Sequence, residues 1–127
     1  MNKIAFYSVS SKERAQLATI KSKLKADFFT ERLSLKNLPN PATEILTIHV
    51  DCQINAEVLK HLPNLKLIIT RTTGFDHIDL KACTKAGIKV ANCGGLNATS
   101  VAEFVFGLIL TSYRNFPNAL RVGHKLQ

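Results

Sequence analysis

The chain has 127 residues, 46% of them hydrophobic, which suits one compact domain with a real core and excludes wholesale disorder. Its net charge of +8 comes without aromatic interleaving or any nucleic-acid-binding signature. The basic residues, among them Lys12, Arg14, Lys21, Lys23 and Lys25 at helix-face spacing, therefore read as a solvated face and not as a nucleic-acid contact.

No apolar run reaches membrane-spanning length and no signal peptide is read at the start, so the expected setting is the cytoplasm, with no membrane contact. The three cysteines, Cys52, Cys83 and Cys93, are widely spaced and form no C-x-x-C pair. They read as reduced thiols, and no metal site is expected.

In chain order, residues 3–7 predict a short buried strand. Ser10 and Ser11 then offer an N-cap, with Glu13 in the first turn and Ala15, Leu17, Ala18, Ile20 and Leu24 at near-helical spacing. Phe28 and Phe29 belong to a second short strand, and residues 33–41 read as a loop ending in Pro39-Asn40-Pro41. Residues 44–50 predict a third strand. Asn55 caps a short helix that Pro63 stops, and residues 65–70 form a strong strand with Leu67, Ile68 and Ile69 in a row. Such runs imply burial on both faces, as in a parallel sheet. Asp79 caps a further helix closed by Gly87, and residues 88–92 make the last strand. The order β-α-β-β-α-β-α-β, with one weak link near residue 35, implies an α/β, flavodoxin-like, doubly wound parallel sheet with right-handed crossovers. A long helix follows, apolar on nearly every side from Val101 to Leu110, with Ser100 and Glu103 reading as a capping box. A domain this small has little room to surround it, which hints at missing structure.

Two segments suit ligand chemistry. The first, residues 71–79, follows the strongest strand and so lies at the carboxyl edge of the sheet, where open α/β folds bind ligands. Gly74 permits close backbone approach or a positive φ, and the amides of Thr73 and Gly74 suit an anion. A plain β-α loop, with Gly74 turning and Asp79 capping, explains the same residues. The second, residues 92–100, also leaves a strand and opens a helix, whose N-terminus attracts carboxylates and phosphates. Asn97 there offers donors and acceptors, although a glycine-rich turn with an ordinary cap is the simpler account. Gly94-Gly95 is not a G-x-G-x-x-G fingerprint, and the chain contains none.

Residues 62–114 resemble the D-isomer-specific 2-hydroxyacid dehydrogenases, a family of NAD-dependent enzymes. The resemblance rests on Leu65-Lys66-Leu67-Ile68 before Thr73-Gly74-Phe75-Asp76-His77-Ile78-Asp79. It continues through Gly87-Ile88-Lys89-Val90-Ala91-Asn92 and through Asn97 to Val101-Ala102-Glu103. The match covers the family's N-terminal part only. At Gly94 the chain departs from the family pattern, where proline is common. The resemblance implies that the Thr73 and Gly74 amides hold a substrate carboxylate, that the Asn97 side chain lies near the substrate, and that Ala98 and Thr99 approach the cofactor.

It also implies that the family's arginine, acidic residue and histidine, and its cofactor loop, lie beyond Gln127. No catalytic residue is therefore assigned, and His49, His61, His77 and His124 are not taken as the acid-base. Residues 1–97 are expected to form the substrate domain. Residues 98–127 are expected to form an interdomain and dimerisation helix with the truncated start of a missing Rossmann domain. The expected function is the substrate-domain part of an NAD-dependent oxidoreductase acting on small 2-keto and D-2-hydroxy acids, as a homodimer and inactive as isolated chain. The competing readings are a stand-alone flavodoxin-like module for a small anion or a protein partner, and a structural fragment that only dimerises.

Overall fold

A computed structural model describes residues 3–21 and 25–123. The elements are β1 (Ile4–Phe6), α1 (Ser11–Lys21), β2 (Ala26–Phe28), β3 (Ile45–Ile48), α2 (Ala56–Lys60), β4 (Leu67–Thr70), α3 (Leu80–Lys85), β5 (Lys89–Ala91), α4 (Ala98–Tyr113) and α5 (Phe116–Gly123). They fall into two compact units, Met1–Gly94 and Gly95–Gln127.

The first unit holds the sheet. All four strand pairings are parallel, and the strand order is β2-β1-β3-β4-β5, that of a flavodoxin-like sheet. The predicted succession of strands and helices is the one found. The register aligns Ala5, Leu46, Ile68 and Val90 across one face. With Tyr7, Ile48, Val58, Leu59, Leu62, Cys83 and Ile88 they belong to one core cluster, Val90 packing at its margin. Each large apolar side chain so buried contributes about 1.5–3 kcal/mol.

The apolar runs predict burial on both faces, and this holds only in part. Leu46, Thr47 and Ile48 of β3 are all buried, whereas on β4 Ile68 and Thr70 are buried while Leu67 and Ile69 are half-buried. The two faces of the sheet are thus unequally covered.

Caps place the helices. Asn55 Oδ1 accepts from the amides of Glu57 (3.1 Å) and Val58 (3.0 Å), and Asp79 Oδ1 from that of Ala82 (2.9 Å). Gly87 follows the last turn of α3 with φ +72°, the left-handed conformation that glycine adopts without cost. At α1, the amide of Glu13 donates to Ser10 Oγ (3.2 Å), while the amide of Ser10 donates to Glu13 Oε2 (2.9 Å). This reciprocal pair is a capping box.

The capping box expected at Ser100 and Glu103 does not form. The amide of Val101 already donates to Asn97 O (3.0 Å), so α4 begins at Ala98 and Ser100 lies inside its first turn. The weak link near residue 35 is a loop without helix or strand, tied by a side chain. Asn37 Oδ1 accepts from the amide of Ser34 (2.7 Å), Asn37 Nδ2 donates to Arg32 O (2.8 Å), and Tyr7 Oη donates to Asn37 O.

The second unit is α4 and α5, joined at Asn115 in the left-handed region (φ 52°). No residue of α4 is buried; Phe104 and Phe106 are about two-thirds exposed (67% and 66%). No helix among the described residues is long and apolar enough to cross a membrane, and no group of His, Cys, Asp and Glu suited to a metal occurs among them.

Candidate functional site

Between β1 and β3 the strand order reverses, and the carboxyl ends of the strands there form the crevice where such sheets bind ligands. Residues 71–79 leave β4 at this edge. Arg71 fixes the base of the loop. Its amide donates to Ile48 O (2.9 Å), and its Nη2 donates to both Tyr7 O and Ser8 O (2.9 Å each) at the end of β1. Its Nε lies 3.4 Å from Glu13 Oε1, an ion pair; Nε and Nη1 have no hydrogen-bond partner among the described residues. Ser8 holds a φ of 54°, uncommon outside glycine. Its hydroxyl bonds to Asp51 (2.8 Å), and its carbonyl is held by Arg71.

Beyond Arg71, three successive peptide planes are each pinned through their carbonyl. Thr72 O accepts from the Cys93 amide (3.0 Å), Thr73 O from Asn92 Nδ2 (2.7 Å), and Gly74 O from Thr72 Oγ1 (2.7 Å). No peptide here is cis, so each N–H points opposite its own plane's carbonyl. The directions of the Thr73, Gly74 and Phe75 N–H groups are therefore set before any ligand arrives. Gly74 lies outside the left-handed region. Of the two expected uses of this glycine, positive φ is thus excluded and close approach remains. A Cβ there would meet only Asp76 Oδ2, at 3.6 Å.

A cavity of about 290 Å³ opens beside the loop, lined by Val50, Gln53, Thr72, Gly74, Asp76 and His77. Gly74 is on its wall, and Thr73 lies in the same exposed loop. Gln53 and Val50 come from the turn after β3, and no local pattern in the sequence pairs that turn with residues 71–79. Only parallel pairing of β3 with β4 brings them together. A larger hollow, about 560 Å³, runs along α4, but Leu108, Ile109, Ser112 and Tyr113 of a single helix line it. It offers little to orient a polar ligand, so the smaller cavity is the better candidate.

His77 is buried and bonded through Nε2 to Thr70 Oγ1 (3.0 Å). Burial pushes its imidazole below the ordinary histidine range, against the opposing pull of Asp76. His49 Nδ1 lies 3.9 Å from Asp51 Oδ1, His61 is the exposed C-cap of α2, and His124 is outside the described residues. Asn97, Ala98 and Thr99 belong to the second unit. Asn97 is the N-cap of α4 without a side-chain capping bond, and Ala98 and Thr99 open the helix.

Residues 4–115 match the family model described as D-isomer specific 2-hydroxyacid dehydrogenase, catalytic domain. The chain is 46% identical over 70 residues to a glyoxylate reductase of Thermofilum pendens, covering 55% of this chain and 21% of that one. With a hydroxypyruvate reductase of Thermotoga maritima it shares 33% over 110 residues, 85% of this chain and 35% of the other. Among solved structures, the D-lactate dehydrogenase of Aquifex aeolicus, complexed with NAD and lactic acid, superposes with a TM-score of 0.81. The two are 31% identical over 97% of this chain and 37% of that one. The chain thus spans between a fifth and two fifths of the length of these proteins.

Proposed function

The chain belongs to the D-isomer specific 2-hydroxyacid dehydrogenases, and from that premise we propose that it supplies the substrate-binding part of an NAD-dependent oxidoreductase that interconverts 2-keto acids and D-2-hydroxy acids. The observation that carries this reading is the loop of pinned peptide planes beside the 290 Å³ cavity. A small carboxylate needs N–H donors of fixed direction, and a loop whose carbonyls are already held supplies them without reorganisation. In this reading the Thr73 and Gly74 amides take the carboxylate. Asn97 lies near the substrate in the whole enzyme, and Ala98 and Thr99 border the cofactor. Residues 1–97 then act as the substrate domain, and residues 98–127 as the interdomain and dimerisation helix leading toward a Rossmann domain. The cytoplasm is the proposed setting.

NAD itself does not fit these residues alone. The sequence contains no G-x-G-x-x-G fingerprint. The paired Gly94 and Gly95 form no cradle: a Cβ on Gly94 would meet the Asn92 side chain at 3.5 Å, and one on Gly95 would meet nothing. We therefore assign the redox step to the whole enzyme and expect none from the 127-residue chain. Purified chain given NADH and a panel of 2-keto acids should show no turnover; activity that survives removal of contaminants overturns this.

The binding role is tested by titrating ¹⁵N-labelled chain with pyruvate. The amide signals of Thr73 and Gly74 should move first, and Gly74→Val should weaken binding at least tenfold while leaving the fold intact, since its Cβ has room. Shifts confined to other surfaces, or unchanged affinity in Gly74→Val, would show that the cavity is not the carboxylate site.

A further inference from the structure

Four groups around the loop form an unbroken chain of hydrogen bonds. His77 Nε2 lies 3.0 Å from Thr70 Oγ1, Thr70 Oγ1 lies 2.6 Å from Thr72 Oγ1, and Thr72 Oγ1 donates to Gly74 O at 2.7 Å. Thr70 is the last residue of β4 and fully buried; His77 is 6% exposed. The chain thus joins the start of the loop, its middle and its end.

Its direction is fixed by valence. A carbonyl only accepts, so Thr72 commits its single hydroxyl hydrogen to Gly74. Thr70 must then donate to Thr72. With the Thr70 hydrogen committed in turn, His77 Nε2 must donate to Thr70. The neutral ring is therefore the Nε2–H tautomer, with Nδ1 as the acceptor nitrogen.

We propose that His77 is a positioning residue: its Nε2–H anchors a one-way relay through Thr70 and Thr72 that locks the Gly74–Phe75 peptide plane, and with it the direction of the Phe75 N–H, which follows the Thr73 and Gly74 amides along the loop beside the cavity. The consequence for binding rests on the carboxylate reading given above; the relay itself does not. Thr72 and Thr73 have carbonyls held from outside the loop, by Cys93 and Asn92. Among the described residues the Gly74 carbonyl is held by this relay alone, so its plane is the one free to flip once the relay is cut. Burial of the ring, which favours its neutral form, agrees with this role. His77 O also accepts from the Ile54 amide (2.9 Å), which holds the ring's own backbone in place.

The test uses the 127-residue chain and two readouts that need no ligand. Imidazole ¹⁵N spectra at neutral pH should give His77 a protonated Nε2 and a pyridine-like Nδ1; the Nδ1–H tautomer would overturn the relay. Backbone ¹⁵N relaxation should show the Phe75 N–H loosening in His77→Met, its order parameter falling from about 0.85 to below about 0.6, while Leu46 and Ile68 stay as rigid as before. His77→Gln, whose side-chain amide can donate in place of Nε2, should restore the wild-type order parameter. Should His77→Met not fold, Thr72→Val cuts the same chain from the surface, with Thr72→Ser as its rescue. Wild-type order at Phe75 in His77→Met and Thr72→Val, or equal loosening in His77→Gln and His77→Met, sinks the proposal. Pyruvate titration of the same variants should show affinity falling as the Phe75 N–H loosens. If wild-type chain binds no pyruvate, the carboxylate reading fails, while the tautomer and relaxation results still decide the relay.

Discussion

Gly74, Thr72 and His77 show how much one short segment carries. Gly74 is marked in the sequence by following an apolar strand, and its ordinary φ in the structure removes the need for a left-handed conformation there. Thr72 and His77 stand in the same segment without any signal of partnership. Their link runs through Thr70, and only the loop's path brings residues 70 and 77 within bonding distance. The buried ring also ties stability to pH. Burial lowers its folded pKa below the unfolded value of 6.5, so the unfolded chain binds the proton more readily. Stability should then fall as pH drops below about 6.5 and level off once the folded ring is itself protonated. Denaturant midpoints taken between pH 7.5 and 5 should show this loss in wild type, and His77→Gln should lack that share of it. Equal pH slopes in both proteins would mean that the ring is not buried in its neutral form.

At the scale of elements, the caps are the most legible features and the easiest to check. Asn55 is exposed and accepts two first-turn amides of α2, a helix of five residues with little propensity of its own to draw on. Asn55→Ala should cost about 1 kcal/mol, a fall of about 4–8 °C in the melting temperature of a unit this size. Asn55→Asp should retain most of the stability, and an unchanged melting temperature in the alanine variant would show that packing of Val58 and Leu59 alone holds α2. Ser100 teaches the opposite lesson. S-x-x-E occurs at both Ser10 and Ser100, yet only Ser10 caps, because a cap requires the preceding chain to leave the helix, and α4 has already begun at Ala98.

For the whole molecule, the exposed apolar surface of α4 is the feature with consequences for association. Phe104, Val105, Phe106, Leu108, Ile109 and Leu110 are all exposed, a larger apolar surface than soluble monomers usually carry. At about 25 cal/mol per Å², covering it offers a driving force large enough to oppose the entropy of association. A second copy is the simplest cover, since two-fold pairing is the commonest symmetry. Sedimentation equilibrium should therefore find a dimer at tens of micromolar, and Leu108→Asp should return monomer with the sheet still folded. A clean wild-type monomer would refute the pairing.

Local periodicity, turn chemistry and contiguous motifs carry the alternation of strands and helices, the parallel sheet, the caps at Asn55 and Asp79, and the family, so all of these can be read along the chain. The sequence also marks Thr73 and Gly74 as ligand-facing candidates. Folding in three dimensions is what puts Val50 and Gln53 in one cavity with that loop, ties the loop to the end of β1 through Arg71, and lets His77 reach Gly74 through two threonines. Those relations join residues from different strands and turns. The parallel register sets such distances, and local pattern along a single chain does not encode them.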